Sequence, residues 1–467
     1  MYNKTEIIKD LDRIIGYIES TGELDKKDRE LITSETVDNI RNYLNKGWID
    51  IRKSTDSEDG REEAEPVIEW SDGGEYFYDL NGERYIDCLG GYGVFTPGHR
   101  NPEITKYVKL QLSRLGLHSQ ELLEPLRAYL AKTFELITPG DLQYAFFTNG
   151  GAEAIEMSLK LARLYTGKKW YISTLNAFHG KSNGALSATG KGFTRKAFLP
   201  MVQQTFHVEY GNAEETRTAI RNLTHVGEEV AAVIVEPIQG EGGVIIPPKG
   251  YLKELREICD EYGALLIFDE IQTGMGRTGT LWRCEAEGVV PDILAFGKAI
   301  GGGIIPMTGI VAKPKLWTQP LIENPNLLGS PTFGGNPVAC SAALATIKYT
   351  LENDIPGMCK KKGETILKEL KKLKLDFPKV LKDVRGAGLL IAMEFDDSKI
   401  GYYVAKKLFE NKILTAGTEI NAKVIRIEPP ACISYESIGI LLNTLKGVLQ
   451  ETEIEFKLAD FAAAAIE

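Results

Sequence analysis

Between residues 100 and 345, short apolar runs alternate with stretches of helical periodicity, and that alternation admits few architectures. The runs lie at 144–147, 170–173, 231–235, 265–268 and 293–296. Strands separated by helices build a mostly parallel sheet covered by helices. A chain of 467 residues also exceeds what one small core can organise, so two packed domains or three are expected.

The ends of the chain read differently. Residues 5–50 predict two polar amphipathic helices. Ile7, Leu11, Ile14 and Ile18 recur at helical spacing, and Val37, Ile40 and Leu44 do so again. Residues 54–65 are charged and predict a loop. A hairpin follows, with strands at 76–79 and 84–87 around Leu80-Asn81-Gly82-Glu83, where Asn-Gly favours a tight turn. Past residue 345 the elements shorten, with 389–395 the clearest strand. The expected division is 1–98 for the N-terminal helices and hairpin, joining a small domain; 99–345 for the large domain; and 346–467 for the rest of the small one. No internal repeat is visible.

Composition removes several classes of function. A net charge of -10 argues against nucleic acid or an anionic membrane surface as partner. No apolar run approaches the ~18 residues of a spanning helix, and Met1–Glu6 begins no apolar signal core. The six cysteines are scattered without a Cys-x-x-Cys spacing, and the five histidines show no ligand spacing. The expectation is a cytoplasmic protein with no metal site.

Lys298 sits in Phe296-Gly297-Lys298-Ala299-Ile300-Gly301, where an apolar run delivers one amine into a glycine-rich turn. Upstream, Leu265-Leu266-Ile267-Phe268-Asp269 ends a strand pattern on a carboxylate. A lysine of lowered proton affinity makes Schiff bases with carbonyls, and an acid opposite a pyridine nitrogen is its usual partner in pyridoxal phosphate sites. Alone, each has a plainer reading: a surface lysine and a strand-end cap. Phe147-Thr148-Asn149-Gly150-Gly151-Ala152 joins a strand to a helix with Ile155, Leu159, Ala162 and Tyr165 along one face. It is shaped as a phosphate cradle or simply as a glycine-rich turn. Phe178 in Ala177-Phe178-His179-Gly180 stacks on a flat ring or packs at a loop edge. Gly180-Lys181-Ser182 mimics the end of a P-loop, but Leu175 stands where that motif needs glycine. Gly274–Gly279 matches the dinucleotide fingerprint without a helix after it and is read as a turn. Val235-Glu236-Pro237-Ile238-Gln239-Gly240-Glu241 puts two carboxylates and an amide at a strand end. Arg426, inside an apolar strand pattern, wants a carboxylate, whether for ligand binding or for structure.

Taken together these motifs resemble the fold-type I, class III pyridoxal-phosphate aminotransferases, over roughly residues 65–450. They stand in the family's order: Gly98-His99-Arg100-Asn101-Pro102, then 148–154, Phe178-His179-Gly180, 236–243, Asp269-Glu270-Ile271-Gln272-Thr273-Gly274, Lys298, Thr332-Phe333-Gly334-Gly335-Asn336-Pro337 and Arg426. The resemblance implies an α/β fold: a large domain with a mostly parallel sheet, plus a smaller α+β domain from the two chain ends. Within the family, Asp87-Cys88-Leu89-Gly90-Gly91, 117–123, the N-terminal helices and Arg426-Ile427-Glu428-Pro429-Pro430 are most similar to the members that act on putrescine.

The resemblance also implies roles. Lys298 would bind pyridoxal 5'-phosphate as a Schiff base and then move a proton. Asp269 would hold the pyridine nitrogen protonated. Gln272 would reach the phenolic oxygen, and Phe178 would stack on the ring beside His179. Gly150, Gly151 and Ala152 would cradle the phosphate, joined by Thr332 from a second subunit of a homodimer or dimer of dimers. Arg426 would take the carboxylate of 2-oxoglutarate, with Glu236 as its switchable partner. The reaction would move a terminal amino group from putrescine, or second from cadaverine, to 2-oxoglutarate. Ornithine, acetylornithine and 4-aminobutyrate are the alternative donors; each carries a carboxylate that needs a second cationic site. The family usually has Ser or Thr where Gly150 and Ala152 stand, so fewer side-chain hydrogen bonds to phosphate and a lower cofactor affinity are expected. A nicotinamide oxidoreductase built on 274–279, and a binding protein without activity, are the rivals from other classes.

Overall fold

In the computed structural model the described residues are 3–20, 24–49 and 66–464, with side chains through 456. The loop expected at 54–65 lies outside them. The chain divides into two compact units, Met1–Ser71 with Phe77–Arg84, and Asp72–Tyr76 with Tyr85–Glu467.

In the first unit the helices span Lys4–Glu19 and Lys26–Asn39, capped by Asn3 and Asp25. The second helix does not carry its α-periodicity through Leu44, because the backbone widens into a π-turn over Ile40–Asn45. The hairpin turn forms where Asn-Gly put it. Asp79 Oδ1 accepts from the N–H groups of Asn81 and Glu83 at 2.9 Å each, and Gly82 takes φ 82°.

The second unit is built on a seven-stranded sheet. Its strands are β1 (Tyr144–Thr148), β2 (Trp170–Thr174), β3 (Thr205–Val208), β4 (Val230–Val235), β5 (Leu265–Asp269), β6 (Ile293–Phe296) and β7 (Thr308–Ala312). Their order is β1-β7-β6-β5-β4-β2-β3, and only β7 runs antiparallel to its neighbours. Sequence reading missed β3 and β7. β3 is a half-exposed edge strand with polar residues, and β7 follows its turn too closely to show a separate pattern.

The sheet is buried on both faces because strand geometry sends successive side chains opposite ways. On β5, Leu266 and Phe268 join one core with Phe147, Val233, Leu294 and Phe296, while Leu265 and Ile267 join another with Phe146, Ile234, Ile293 and Ile310. Helix Gly151–Thr166 lays Ile155, Leu159 and Ala162 into the second core; Tyr165, read onto the same face, is 38% exposed. A separate core gathers helices Ile355–Asp376 and Ser398–Glu410 around a four-stranded antiparallel sheet formed by Leu381–Ala387, Leu390–Phe395, Val424–Ile427 and Ala416–Gly417. Ile86 and Cys88 join that core from early in the chain.

One buried ion cluster ties the early segment down. His99 Nε2 meets Asp87 Oδ2 at 2.7 Å and Nδ1 meets Asp72 Oδ2 at 3.1 Å, with Phe95 stacked on the ring. Asp87 Oδ1 also accepts from the N–H groups of Leu89 and Gly90, fixing the turn that follows. Burial disfavours the imidazolium, but the two aspartates outweigh it and lift His99 to about 9. Because the folded value lies above the unfolded one, this stability is fully present below pH ~6.5 and is lost as pH rises through about 9. Urea unfolding of the wild type should therefore lose roughly 2–3 kcal/mol between pH 6 and 10 from this group. His99→Gln should be less stable at pH 6 and show no such decline.

Candidate active site

Parallel strands share one carboxyl edge, and the loops leaving that edge converge. Here the segments after β1, β2, β4, β5 and β6 line a cavity of about 370 Å³. Its wall brings together Gly151, Ala152, Phe178, His179, Glu236, Asp269, Gln272 and Lys298, with Lys181, Ile271 and Thr308 beside them.

Lys298 follows β6 through Gly297, whose backbone is extended, and itself takes φ 48°. A lysine in the left-handed region is strained, and the extended Gly297 packs where a β-carbon would stand 2.9 Å from Thr308. The backbone is thus turned to aim the amine into the cavity. Burial lowers its proton affinity, opposed mainly by the Glu428 and Glu241 carboxylates.

Asp269 ends β5 and is 5% exposed. Its Oδ2 meets His179 Nδ1 at 2.8 Å and its Oδ1 accepts from the N–H of Ile271 at 3.1 Å. His179 is equally enclosed, and its Nε2 has no hydrogen-bond partner. Glu236 is held by backbone, accepting from the N–H of Phe178 at 2.9 Å and of Gly240 at 3.0 Å. It thereby staples the Phe178 loop to the Gly240 turn. Burial pushes its carboxyl up to about 7, with His179 pulling down and Asp269 pushing up.

Helix Gly151–Thr166 starts beneath the cavity with Gly150 as its cap residue. Glu153 accepts from the N–H groups of Asn149, at 2.8 Å, and Gly150, leaving those of Gly151 and Ala152 at the cavity wall. Gly150 itself lies just outside the lining. A side chain there would meet nothing within 4 Å, so the missing hydroxyl reflects chemistry rather than space. Gly180 packs on Ala152 from the facing loop.

Arg426 is completely buried on strand Val424–Ile427, away from this lining. Its partner is Glu241 and not Glu236: Arg426 Nη1 reaches Glu241 Oε1 at 2.7 Å. The two Glu236 oxygens accept instead from the backbone N–H groups of Phe178 and Gly240. Glu241 is braced in turn by the N–H of Glu419 at 2.8 Å, and Tyr92 lies 4.8 Å from the guanidinium. Tyr92, at φ 59° in the Gly90–Gly93 turn, is half-exposed. Glu241 and Tyr92 were legible as a second carboxylate in the same turn and as an aromatic among glycines. Nothing in the spacing favoured Glu241 over Glu236. Thr332 is exposed, outside the cavity, and its carbonyl accepts from Gln120 Nε2 at 2.7 Å. Gly274–Gly279 forms turns, as read, and carries Arg277 into a fully buried position on the carbonyls of Leu389 and Pro429.

The Gly180 contact gives a direct test. At φ 125° with a β-carbon 2.8 Å from that of Ala152, Gly180→Ala should destabilise the protein by about 1–3 kcal/mol in urea unfolding. Gly439→Ala, in a helix with open space around it, should be neutral or mildly stabilising.

Residues 60–449 match the family described as Aminotransferase class-III. An ornithine aminotransferase from Toxoplasma gondii ME49 is 26% identical, superposes with a TM-score of 0.79, and is matched over 97% of this chain and 100% of that one. A transaminase from the marine bacterium Virgibacillus is 28% identical, with a TM-score of 0.79 over 88% of this chain and 100% of that one. An amine transaminase from an uncultivated Pseudomonas species, solved in its PLP-bound form, is 26% identical with a TM-score of 0.77, over 85% and 97%. A half-buried amine on the cavity wall, an acid paired with imidazole and a helix N-terminus with N–H groups at the lining fit pyridoxal 5'-phosphate in the cavity described above. With the family match over most of its length and a shared fold, this chain belongs to the class-III aminotransferases, fold-type I enzymes that use pyridoxal 5'-phosphate to move an amino group between an amine and a keto acid.

Proposed function

We propose that this chain transfers a terminal amino group of a diamine, putrescine first and cadaverine second, to 2-oxoglutarate, giving an ω-aminoaldehyde and glutamate in the cytoplasm. One observation carries the choice of donor. Apart from Lys298, the lysine on the cavity wall is Lys181, and its ammonium is paired with Glu419 at 2.7 Å. A donor bearing a carboxylate, such as ornithine or 4-aminobutyrate, would have to open that pair or the Arg426–Glu241 pair to find a cation. A diamine would not.

Bound pyridoxal phosphate supplies a carbonyl that captures the amine and a ring that takes up electron density. The rest falls to the chain. Lys298 holds the cofactor and carries the proton at Nζ. Asp269, oriented by His179 Nδ1, sets negative charge against the ring nitrogen. Gln272 offers a hydrogen bond to the phenolic oxygen, and Phe178 covers the ring face, its loop held by Glu236. The N–H groups of Gly151 and Ala152 take the phosphate at the helix start that Gly150 caps, with Thr332 contributed across a homodimer. Arg426 takes the carboxylate of 2-oxoglutarate, and Glu241 neutralises it while the carboxylate-free amine is bound. The division near residues 98 and 345 belongs to the same proposal.

Mixed in single turnover with the loaded protein, putrescine should convert the cofactor at least about tenfold faster than ornithine or 4-aminobutyrate at equal concentration, a difference of ~1.4 kcal/mol. Faster conversion by ornithine would overturn the choice of donor. Arg426→Ala should raise the KM for 2-oxoglutarate by about 10–100-fold, as expected for a lost charged hydrogen bond, and leave the putrescine half-reaction near wild type. Equal damage to both halves would make Arg426 structural.

A further inference from the structure

A charge pair stands at the rim of the cavity. Lys181, on the lining, places Nζ 2.7 Å from Glu419 Oε1 and 5.9 Å from the centre of the Phe178 ring. Glu419 lies just outside the lining, its side chain 30% exposed. Its backbone is fixed from two sides. The N–H groups of Glu419 and Ile420 donate to Glu241 Oε2 at 2.8 Å and to the Glu241 carbonyl at 3.2 Å. Thr418 Oγ1 donates to the carbonyl of Asn421 at 2.8 Å and accepts from its N–H at 3.2 Å, which closes the turn around Glu419.

The four enclosed carboxylates of this region have both oxygens engaged. Asp269 holds His179 and the N–H of Ile271, and Glu236 holds the N–H groups of Phe178 and Gly240. Glu241 holds Arg426 and the N–H of Glu419. Glu428, fully buried one residue past strand Val424–Ile427, turns both oxygens to Gln272 Nε2 at 3.1 Å. Glu419 differs from all four. Its Oε1 takes Lys181, and among the described residues its Oε2 has no partner. An ionised carboxylate offers about four acceptor sites, so a second ammonium can bind Oε2 while Lys181 keeps Oε1.

We propose that Glu419 receives the distal ammonium of the amine donor at the cavity rim, and so selects diamines. The proposal rests on the reading of the donor as a diamine and names the group that recognises its far end. The reacting nitrogen goes to the Lys298 end of the cavity. The methylenes then have Phe178 and Ile271 on the wall, and the second nitrogen meets an acid where the wall opens beside Lys181. An ammonium drawn out of water without a counter-charge is costly, and Glu419 supplies that charge. A monoamine of the same length leaves Oε2 unfilled. A donor such as 4-aminobutyrate sets its own carboxylate against Glu419, like charge on like, so the same residue also selects against it.

The test compares putrescine with butylamine, the same chain without its second nitrogen, in single turnover of the pyridoxal-phosphate-loaded protein. Glu419→Gln should lower the putrescine-to-butylamine rate ratio about tenfold, the loss of one charged hydrogen bond. Glu419→Asp, which keeps the charge on a shorter arm, should lower it less and covers the case in which the glutamine variant fails to fold. Lys181→Met should keep or raise the ratio, because the carboxylate loses a competitor. With the cofactor fixed to Lys298 by borohydride, so that no turnover occurs, titration calorimetry should show a rise of about tenfold in the Kd for putrescine in Glu419→Gln. An unchanged ratio in folded Glu419→Gln would overturn the proposal. So would an equal loss in Lys181→Met, which would make the pair a structural clasp. Faster conversion of 4-aminobutyrate or ornithine than of putrescine by the wild type would overturn the donor reading instead, and a putrescine Kd that still depends on Glu419 would leave the ammonium site standing.

Discussion

An amine withdrawn from water must be neutral or be matched by negative charge, and the structure around Lys298 follows from that constraint. The lysine is carried inward on a completely buried strand and turned into the cavity through a left-handed backbone. Four carboxylates then stand in or near the same region. Each is tied to a different partner: an imidazole, a guanidinium, a pair of backbone N–H groups and an amide. The ties keep the charges apart and oriented. They also explain why so many of the enclosed polar groups lie at one edge of the sheet.

The division of labour between the two glutamates of the Gly240 turn shows how backbone decides side-chain function. Glu236 and Glu241 lie five residues apart with similar chemistry. Glu236 staples two loops together through backbone N–H groups and makes no pair with the arginine. Glu241 is left facing Arg426, with its second oxygen braced by Glu419. A carboxylate held on one side by an N–H group and on the other by a guanidinium can release the second without losing its place.

The sheet was legible because its strands are unbroken apolar runs, and the lysine, aspartate and glycine cradle were legible because each sits where such a run ends. What stayed hidden depended on tertiary pairing. Two glutamates in one turn look alike until the N–H groups claim one of them. Glu428 looked like part of a family signature until its enclosure and its amide partner were visible. β7 escaped because it doubles back between β1 and β6, and nothing local announces an antiparallel insertion. Tyr165 was misplaced because its position falls off the stripe made by Ile155, Leu159 and Ala162.

The cavity and the arginine site differ in how they are drawn from the chain. Every lining residue of the cavity falls between Gly151 and Thr308, on strand ends and loops of one sheet. The Arg426 site needs Tyr92 from before that segment, Glu241 from within it, and Arg426 and Glu419 from well after it. Changes in the flanking segments can therefore drift, or be engineered, with little disturbance to the central one. On the proposed role of Arg426, a lineage could change which acid it accepts by rewriting the ends of the chain while inheriting the middle intact.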